Sequence, residues 1–308
     1  MAQILRKFQG YYLLFAVGVA FLAIRSILDS GFRNSTLLYL AIPFCLSILL
    51  HRLTPRLASQ GVGSRYLNHL RDATIVFLAT SALLFEGFIC ILMFMPIYYL
   101  AVTVAFVFVW LTERAGSSGG RARAYAIPAA VVLMCMEGFA EPLTPPRYRQ
   151  ATRVVETDQS IEQLKANMAR PIVFPGGRHW FLQIFPLPDR VEAGTLNPGD
   201  VHTLHFTYKK WFFTNYSQGV MRIRIAEVGP ARIRTEILEN TAYLSHYMKI
   251  DGTEVRFTDL GGGRTRVALT VKYHRLLDPA WYFGPMEQFA AEESAEYLIE
   301  SIIARHAA

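Results

Sequence analysis

Two acidic residues sit where acids are expensive. Glu86 is the single formal charge between Ala73 and Leu111, and Glu137 lies in a later apolar run; each opens the same tripeptide, Glu86-Gly87-Phe88 and Glu137-Gly138-Phe139. A carboxyl group deep in lipid costs about 3 kcal/mol on insertion scales, so it must face protein or water. If both acids stand about fourteen residues into helices that run outward, each lies about 20 Å from the inner boundary and the two could meet. Neighbouring carboxylates cannot both ionise cheaply; one would keep its proton and bond the other. Four roles stay open for the pair: structural glue, a proton relay, a metal site with Cys90 and Met93, and lipid headgroup binding. Cys90 stands one turn after Glu86 on the same face, yet Glu and Cys alone make a poor metal site, and no metal is expected.

Elsewhere the reactive side chains are dispersed. His179, His202, His205, His246 and His274 share no spacing, and there is no nucleophile elbow, metal motif or phosphate-binding glycine loop. His205 and His246 neighbour aromatic residues and are the first to mutate. No catalytic residue and no cofactor is expected. Cys45, Cys90 and Cys135 all fall in apolar runs, which leaves the second half without cysteine and excludes a disulfide framework there.

The elements that would hold the two acids are membrane helices. From Ala73 to Leu111 a helix would measure roughly 60 Å, twice the hydrocarbon core, so the chain must cross and return. Pro96, beside Tyr98 and Tyr99, predicts the fold point at Phe94 to Tyr98. The expectation is five spans: Tyr11 to Ile27 as a retained signal anchor, Thr36 to Leu53, Asp72 to Phe94, Met95 to Leu111, and Ala124 to Ala140. Arg6, Lys7, Arg52, Arg56, Arg65, Arg71, Arg114, Arg121 and Arg123 then share one side, which predicts a cytoplasmic N-terminus and an extracytoplasmic segment after Pro142. The fifth span, with Pro128, Glu137 and Glu141, is the weakest; if it fails to cross, the second half is cytoplasmic.

Charge divides the chain the same way. Residues 1–142 hold 11 Lys/Arg against 6 Asp/Glu and residues 143–308 hold 20 against 18, so most of the net charge of +7 lies in membrane loops. Nucleic acid is not indicated as a partner. Two domains are expected, a transmembrane domain over 1–142 and a water-soluble domain over 143–308, joined by a stiff exit with Pro142, Pro145 and Pro146.

In the second half Arg149 to Thr157 reads as a strand, and Asp158 or Ser160 is placed to cap a helix that runs to about Ala169. Pro171 to Pro198 is rich in loop. Then the period becomes two: Leu204, Phe206, Tyr208; Met221, Ile223, Ile225; Ile233, Thr235, Ile237. Such alternation predicts antiparallel strands with one apolar face. Val255 and Phe257 lead through Gly261-Gly262-Gly263 to Val267 and Leu269, a hairpin with a glycine turn. Asp278-Pro279 starts a long final helix. At helical spacing Met286, Ala290, Ala291, Ser294, Tyr297, Leu298, Ser301 and Ile302 share one face, and Glu292, Glu293, Glu296 and Glu300 the other.

This order of strand, short helix, antiparallel run and long C-terminal helix resembles the helix-grip fold of the START-like (SRPBCC, polyketide cyclase and lipid transport) superfamily over roughly residues 147 to 306. The stretch Gly261-Gly262-Gly263-Arg264-Thr265-Arg266-Val267, followed by Leu277-Asp278-Pro279-Ala280-Trp281-Tyr282-Phe283, is similar to bacterial membrane-anchored members. So is Glu86-Gly87-Phe88-Ile89-Cys90 with Met93 and Pro96. The resemblance implies an α-helical membrane domain followed by an α+β domain whose long helix lies over the concave sheet. The ligand would sit between Phe206, Tyr208, Met221, Ile223, Val267 and Leu269 on the strands and Met286, Ala290, Ser294 and Tyr297 on the helix. The implied function is binding of a lipid or other hydrophobic small molecule at the membrane surface, with membrane lipids as partners. Two alternatives stand beside it: a cyclase-like or lipid-modifying enzyme that uses the same cavity or the Glu86/Glu137 pair, and a structural or signalling protein with a filled core. Trp211-Phe212-Phe213 with Tyr216, after Lys209 and Lys210, is expected to dip into the bilayer interface or to cover the cavity.

Overall fold

The computed structural model describes residues 35–53, 61–83, 88–114, 125–138, 141–175, 177–193, 195–209 and 216–305. The chain divides into two compact units whose main boundary lies between Pro145 and Pro146.

In the first unit a π turn, Leu37–Ala41, leads into α1 (Ile42–Leu53), followed by α2 (Val62–Leu83), α3 (Phe88–Arg114) and α4 (Ala126–Met134). The fold point is not at Phe94 to Tyr98: α3 continues through Pro96 as one helix. Contacts from the neighbouring antiparallel helix explain why the proline is tolerated. Phe77 of α2 stacks on Tyr98 at 4.6 Å and meets Phe94 at 5.5 Å, the Tyr98 hydroxyl donates to the Ala73 carbonyl at 2.7 Å, and Tyr99 and Thr74 hydroxyls lie 2.9 Å apart. Such partners hold a helix in register across a missing donor. Tyr98 and Tyr99 therefore tie two helices together.

Among the described residues one helical stretch, Ile91–Arg114, is long and apolar enough to cross a bilayer, and Leu37–Arg52 forms a shorter apolar helix. Five spans are thus more than these residues support. The expected first span lies outside the described residues. The helix in the expected fifth span holds 9 residues, about 14 Å of rise. Small Ala101 and Ala105, one turn apart on α3, pack with Leu40, Phe44, Val131 and Cys135 in a buried cluster.

The second unit carries seven described strands in one antiparallel sheet, β1 (Tyr148–Thr157), β2 (Pro188–Glu192), β3 (Val201–Lys209), β4 (Tyr216–Val228), β5 (Arg232–Asn240), β6 (Met248–Gly261) and β7 (Arg264–Arg275), in the order β1-β7-β6-β5-β4-β3-β2. The alternation of apolar residues sets this register, because a slip of one residue would turn the apolar set outward. β2 falls in the stretch expected to be loop. Its proline stands first in an edge strand, where a missing N–H leaves no gap in the ladder. Gly261, Gly262 and Gly263 take φ of 79°, 65° and 78° and close the β6–β7 hairpin. Between β1 and β2, α5 (Ile161–Met168) begins at Ser160 with a complete capping box to Gln163, and a 3-10 turn spans Trp180–Ile184.

Across the sheet lies α6 (Ala280–Leu298), which continues as a π turn to Ile303. Its buried stripe is Phe283, Glu287, Ala291, Ala295, Ile299 and Ile303. That corrects the expected inward face: Ala291, Tyr297 and Ser301 are buried, but Met286, Ala290, Ser294 and Leu298 flank the stripe half-buried. The helix leans onto β1 and β7, so Ala291, Ala295, Ile299 and Ile303 close a core with Ala151, Val155, Val255, Phe257, Val267, Leu269 and Val271. An antiparallel sheet with a long C-terminal helix of this kind fits a helix-grip fold.

Candidate functional site

Strand pairing places the expected cavity residues on one sheet face. Leu204 faces Met221, His202 faces Ile223, Ile223 faces Ile237, Ile233 faces Val255, and Val255 faces Leu269; opposed residues of antiparallel strands share a face. Packing along that face is uneven. Val267 and Leu269 are fully buried in the core beneath Ala291 and Ala295, so they fill space that the sequence left open for a ligand. Towards β3 and β4, Phe206 and Ile223 are half-buried, and on α6 so are Met286, Ala290 and Ser294. Met221 is buried between the two zones.

Both tyrosines have other tasks. Tyr208 stacks on Tyr243 with ring centroids 4.1 Å apart, under the turn Tyr243–His246. That turn approaches β4 at Gly219, where a Cβ would lie 2.3 Å from the Thr241 carbonyl oxygen. Tyr297 donates to the Pro175 carbonyl at 2.7 Å and so pins the loop before β2 against the end of α6. A cavity of about 350 Å³ opens beside the same strands, lined by His205, Phe206, Thr207, Gln218, Gly219, Val220 and Thr241; of the ten expected ligand residues Phe206 borders it.

The histidines do not converge. His202 is buried within 3.0 Å of the Thr195 carbonyl oxygen, His205 is 3.3 Å from Glu192, His274 is 3.1 Å from Asp251, and His246 is an exposed ring beside Tyr243.

A buried charge cluster escaped the sequence reading. Arg275, fully buried at the end of β7, donates to the Leu277 carbonyl and the Asp278 carboxylate. Arg147 donates to the other Asp278 oxygen at 2.7 Å. Beneath α6, Glu287 is buried and neither of its oxygens has a hydrogen-bond partner. Burial raises its pKa to about 8, against the opposing pull of the Arg275 charge. Its position four residues after Phe283 and four before Ala291 is the signal that places it on the buried stripe.

The helical unit holds a second polar group. The Ser47 hydroxyl and His69 Nε2 are 2.7 Å apart, His51 and His69 rings meet at 5.6 Å, and Glu113 takes Arg65 at 3.0 Å with His51 Nε2 at 3.4 Å. Ser47, His51 and His69 are buried. The four-residue spacings Ser47 to His51 and Arg65 to His69 would have revealed it. Glu86 lies outside the described residues, and so does its pairing with Glu137. Cys90 stands in the first turn of α3. Glu137 is buried and lies in the turn after α4, beyond Met134, instead of within a helix. Trp211, Phe212 and Phe213 lie outside the described residues. No group of three or more His, Cys, Asp or Glu that could hold a metal occurs among the described residues.

No protein-family model matches the chain, and comparison with curated proteins finds no match. Solved structures do resemble about half of the chain. A START superfamily protein from Mycobacterium smegmatis is 16% identical over 49% of this chain and 92% of that one, with a TM-score of 0.33. ZhuI aromatase/cyclase from Streptomyces sp. R1128 is 16% identical over 50% and 97%, TM-score 0.27. Norcoclaurine synthase from Thalictrum flavum, solved with dopamine and hydroxybenzaldehyde, is 12% identical over 49% and 86%, TM-score 0.31.

Proposed function

We propose that this is an integral membrane protein whose START-like unit binds a lipid or another hydrophobic small molecule at the membrane surface. The observation that carries this reading is the uneven packing under α6. Its core against β1 and β7 is closed, whereas Phe206 and Ile223 on the sheet and Met286, Ala290 and Ser294 beside the buried stripe of α6 are half-buried. Small side chains at 290 and 294 leave room, and apolar burial at about 25 cal/mol per Å² would hold the ligand. Solved START-like relatives of low identity are consistent with such a ligand but do not choose one. Turnover has no support from the scattered histidines.

The proposed arrangement has several spans, a cytoplasmic N-terminus and an extracytoplasmic second unit, which the bias of basic residues to cytoplasmic loops favours. The shortness of α4 favours a second arrangement, with residues 124–140 not crossing and the unit cytoplasmic. A protease-accessible tag after Ala308 in sealed vesicles distinguishes the two.

Mass spectrometry of organic extracts from gently purified full-length protein tests the function. A stoichiometric apolar molecule supports it, conversion of that molecule replaces it with an enzyme, and an extract free of such molecules contradicts it.

A further inference from the structure

The outward face of α6 changes character along its length. In its later turns that face carries Glu292, Glu293 and Glu296, which gather around Arg153. In its first turns the positions four apart are Trp281, Pro285 and Phe289, all exposed, Trp281 by 46% and Phe289 by 37%. The 3-10 turn extends this surface. Phe181 and His179 meet Phe289 at 5.5 and 5.4 Å, and Trp180, 70% exposed, stands against Phe181. Single exposed apolar residues are ordinary; a contiguous aromatic patch marks an interaction surface.

Its place in the fold and its chemistry select the occupant. Arg147, one residue after the chain enters this unit at Pro146, is bonded to Asp278, three residues before Trp281. The patch therefore starts at the end of the unit where the chain arrives. If the fifth apolar run ends in the membrane at Ala140, as expected from the sequence, the five residues 141–145 span at most about 20 Å of extended chain, and that end would lie near the bilayer. Tryptophan and phenylalanine with nearby arginine suit the interface, where rings sit at headgroup level and cations meet anionic lipid. Arg149 is exposed on the β1 face that also carries Arg153. Beside the patch on α6 lie Met286 and Ala290, so this face also adjoins the half-buried inner residues.

We propose that Trp180, Trp281, Pro285 and Phe289 form the face on which the second unit rests on an anionic lipid bilayer, with Arg149 at headgroup depth. This rests on the membrane reading above. The chain has 4 tryptophans, Trp110, Trp180, Trp211 and Trp281, and Trp110 lies in α3, so one method reports on both. Full-length variants that keep one tryptophan and carry Phe at the other positions are placed in nanodiscs of phosphatidylcholine and phosphatidylglycerol. Bromine is attached either near the headgroup or deep in the acyl chain.

The expected result is loss of Trp180 and Trp281 emission to shallow bromine, more than to deep bromine, with both indoles shielded from aqueous iodide. Trp110 loses emission to brominated lipid as well. If Trp110 is quenched while Trp180 and Trp281 respond to iodide alone, the docking face is wrong and the membrane reading stands. Shielding from iodide without bromine quenching would put a protein or a second copy on the patch and would also overturn the proposal. If Trp110 is not quenched by brominated lipid, both readings fall. Arg149→Glu is expected to reduce shallow quenching in the single-Trp281 background and to leave quenching unchanged in the single-Trp110 background.

Discussion

Arg153, in the middle of β1, donates to the Glu293 carboxylate on α6 across 2.9 Å, with Glu292 and Glu296 each 3.5 Å away. A cation on the inward side of an edge strand thus gathers the acids of the helix, and the acidic face is anchored instead of merely solvated. Because the groups are about one-third exposed or less apart from Glu296, the coupling is modest. A double-mutant cycle of Arg153→Ala and Glu293→Gln is expected to give about 1 kcal/mol, reduced by salt, in urea unfolding.

Gly219 is needed for contact. Its absent Cβ would collide with the Thr241 carbonyl oxygen and the Ala242 Cα at 2.6 Å, both backbone atoms with little freedom to retreat. Gly219→Ala is expected to cost about 2 kcal/mol or more and to release the Tyr208–Tyr243 stack. Near-ultraviolet circular dichroism would record the loss of the tyrosine signal.

Glu287 sets a pH dependence. Its folded pKa of about 8 lies above the ordinary 4.5, chiefly through burial. The folded form therefore binds the proton more tightly. The resulting stabilisation is complete below about pH 4.5 and is lost as pH rises towards 8. Glu287→Gln keeps the neutral shape and should raise the melting temperature at pH 8 relative to the parent, with a much smaller difference at pH 5. An equal change at both values would show that Glu287 does not titrate in this window.

Ser47 and His69 satisfy each other in the helical unit at 2.7 Å. Ser47→Ala removes that partner from His69 Nε2 and is expected to cost about 1–3 kcal/mol; adding His69→Leu should recover most of it, since two apolar groups leave nothing unpaired. Thermal unfolding in mild detergent reads both effects.

The sheet was legible in the sequence because period-two runs such as Met221, Ile223 and Ile225 admit one apolar face. The helical unit was less so, since a proline signals a break only when no neighbour holds the helix, and Phe77 and Ala73 hold Pro96's helix together. At the candidate site the alternation placed the strand residues on one sheet face, but helical spacing alone could not say which side of α6 leans on β1. That tilt buries Glu287 and Ala295 and leaves Met286 and Ser294 half-buried. The His51–His69 group was missed because apolar run length, which finds spans, ignores polar residues at four-residue spacing.

The most direct test is to fill the space under α6. Full-length protein and the Ala290→Trp/Ser294→Trp variant are purified alike, and the apolar molecules retained per chain are counted by mass spectrometry, with circular dichroism to confirm the fold. The account predicts about one bound molecule per parent chain and its loss in the folded variant. Equal retention by both would contradict a ligand between α6 and the sheet.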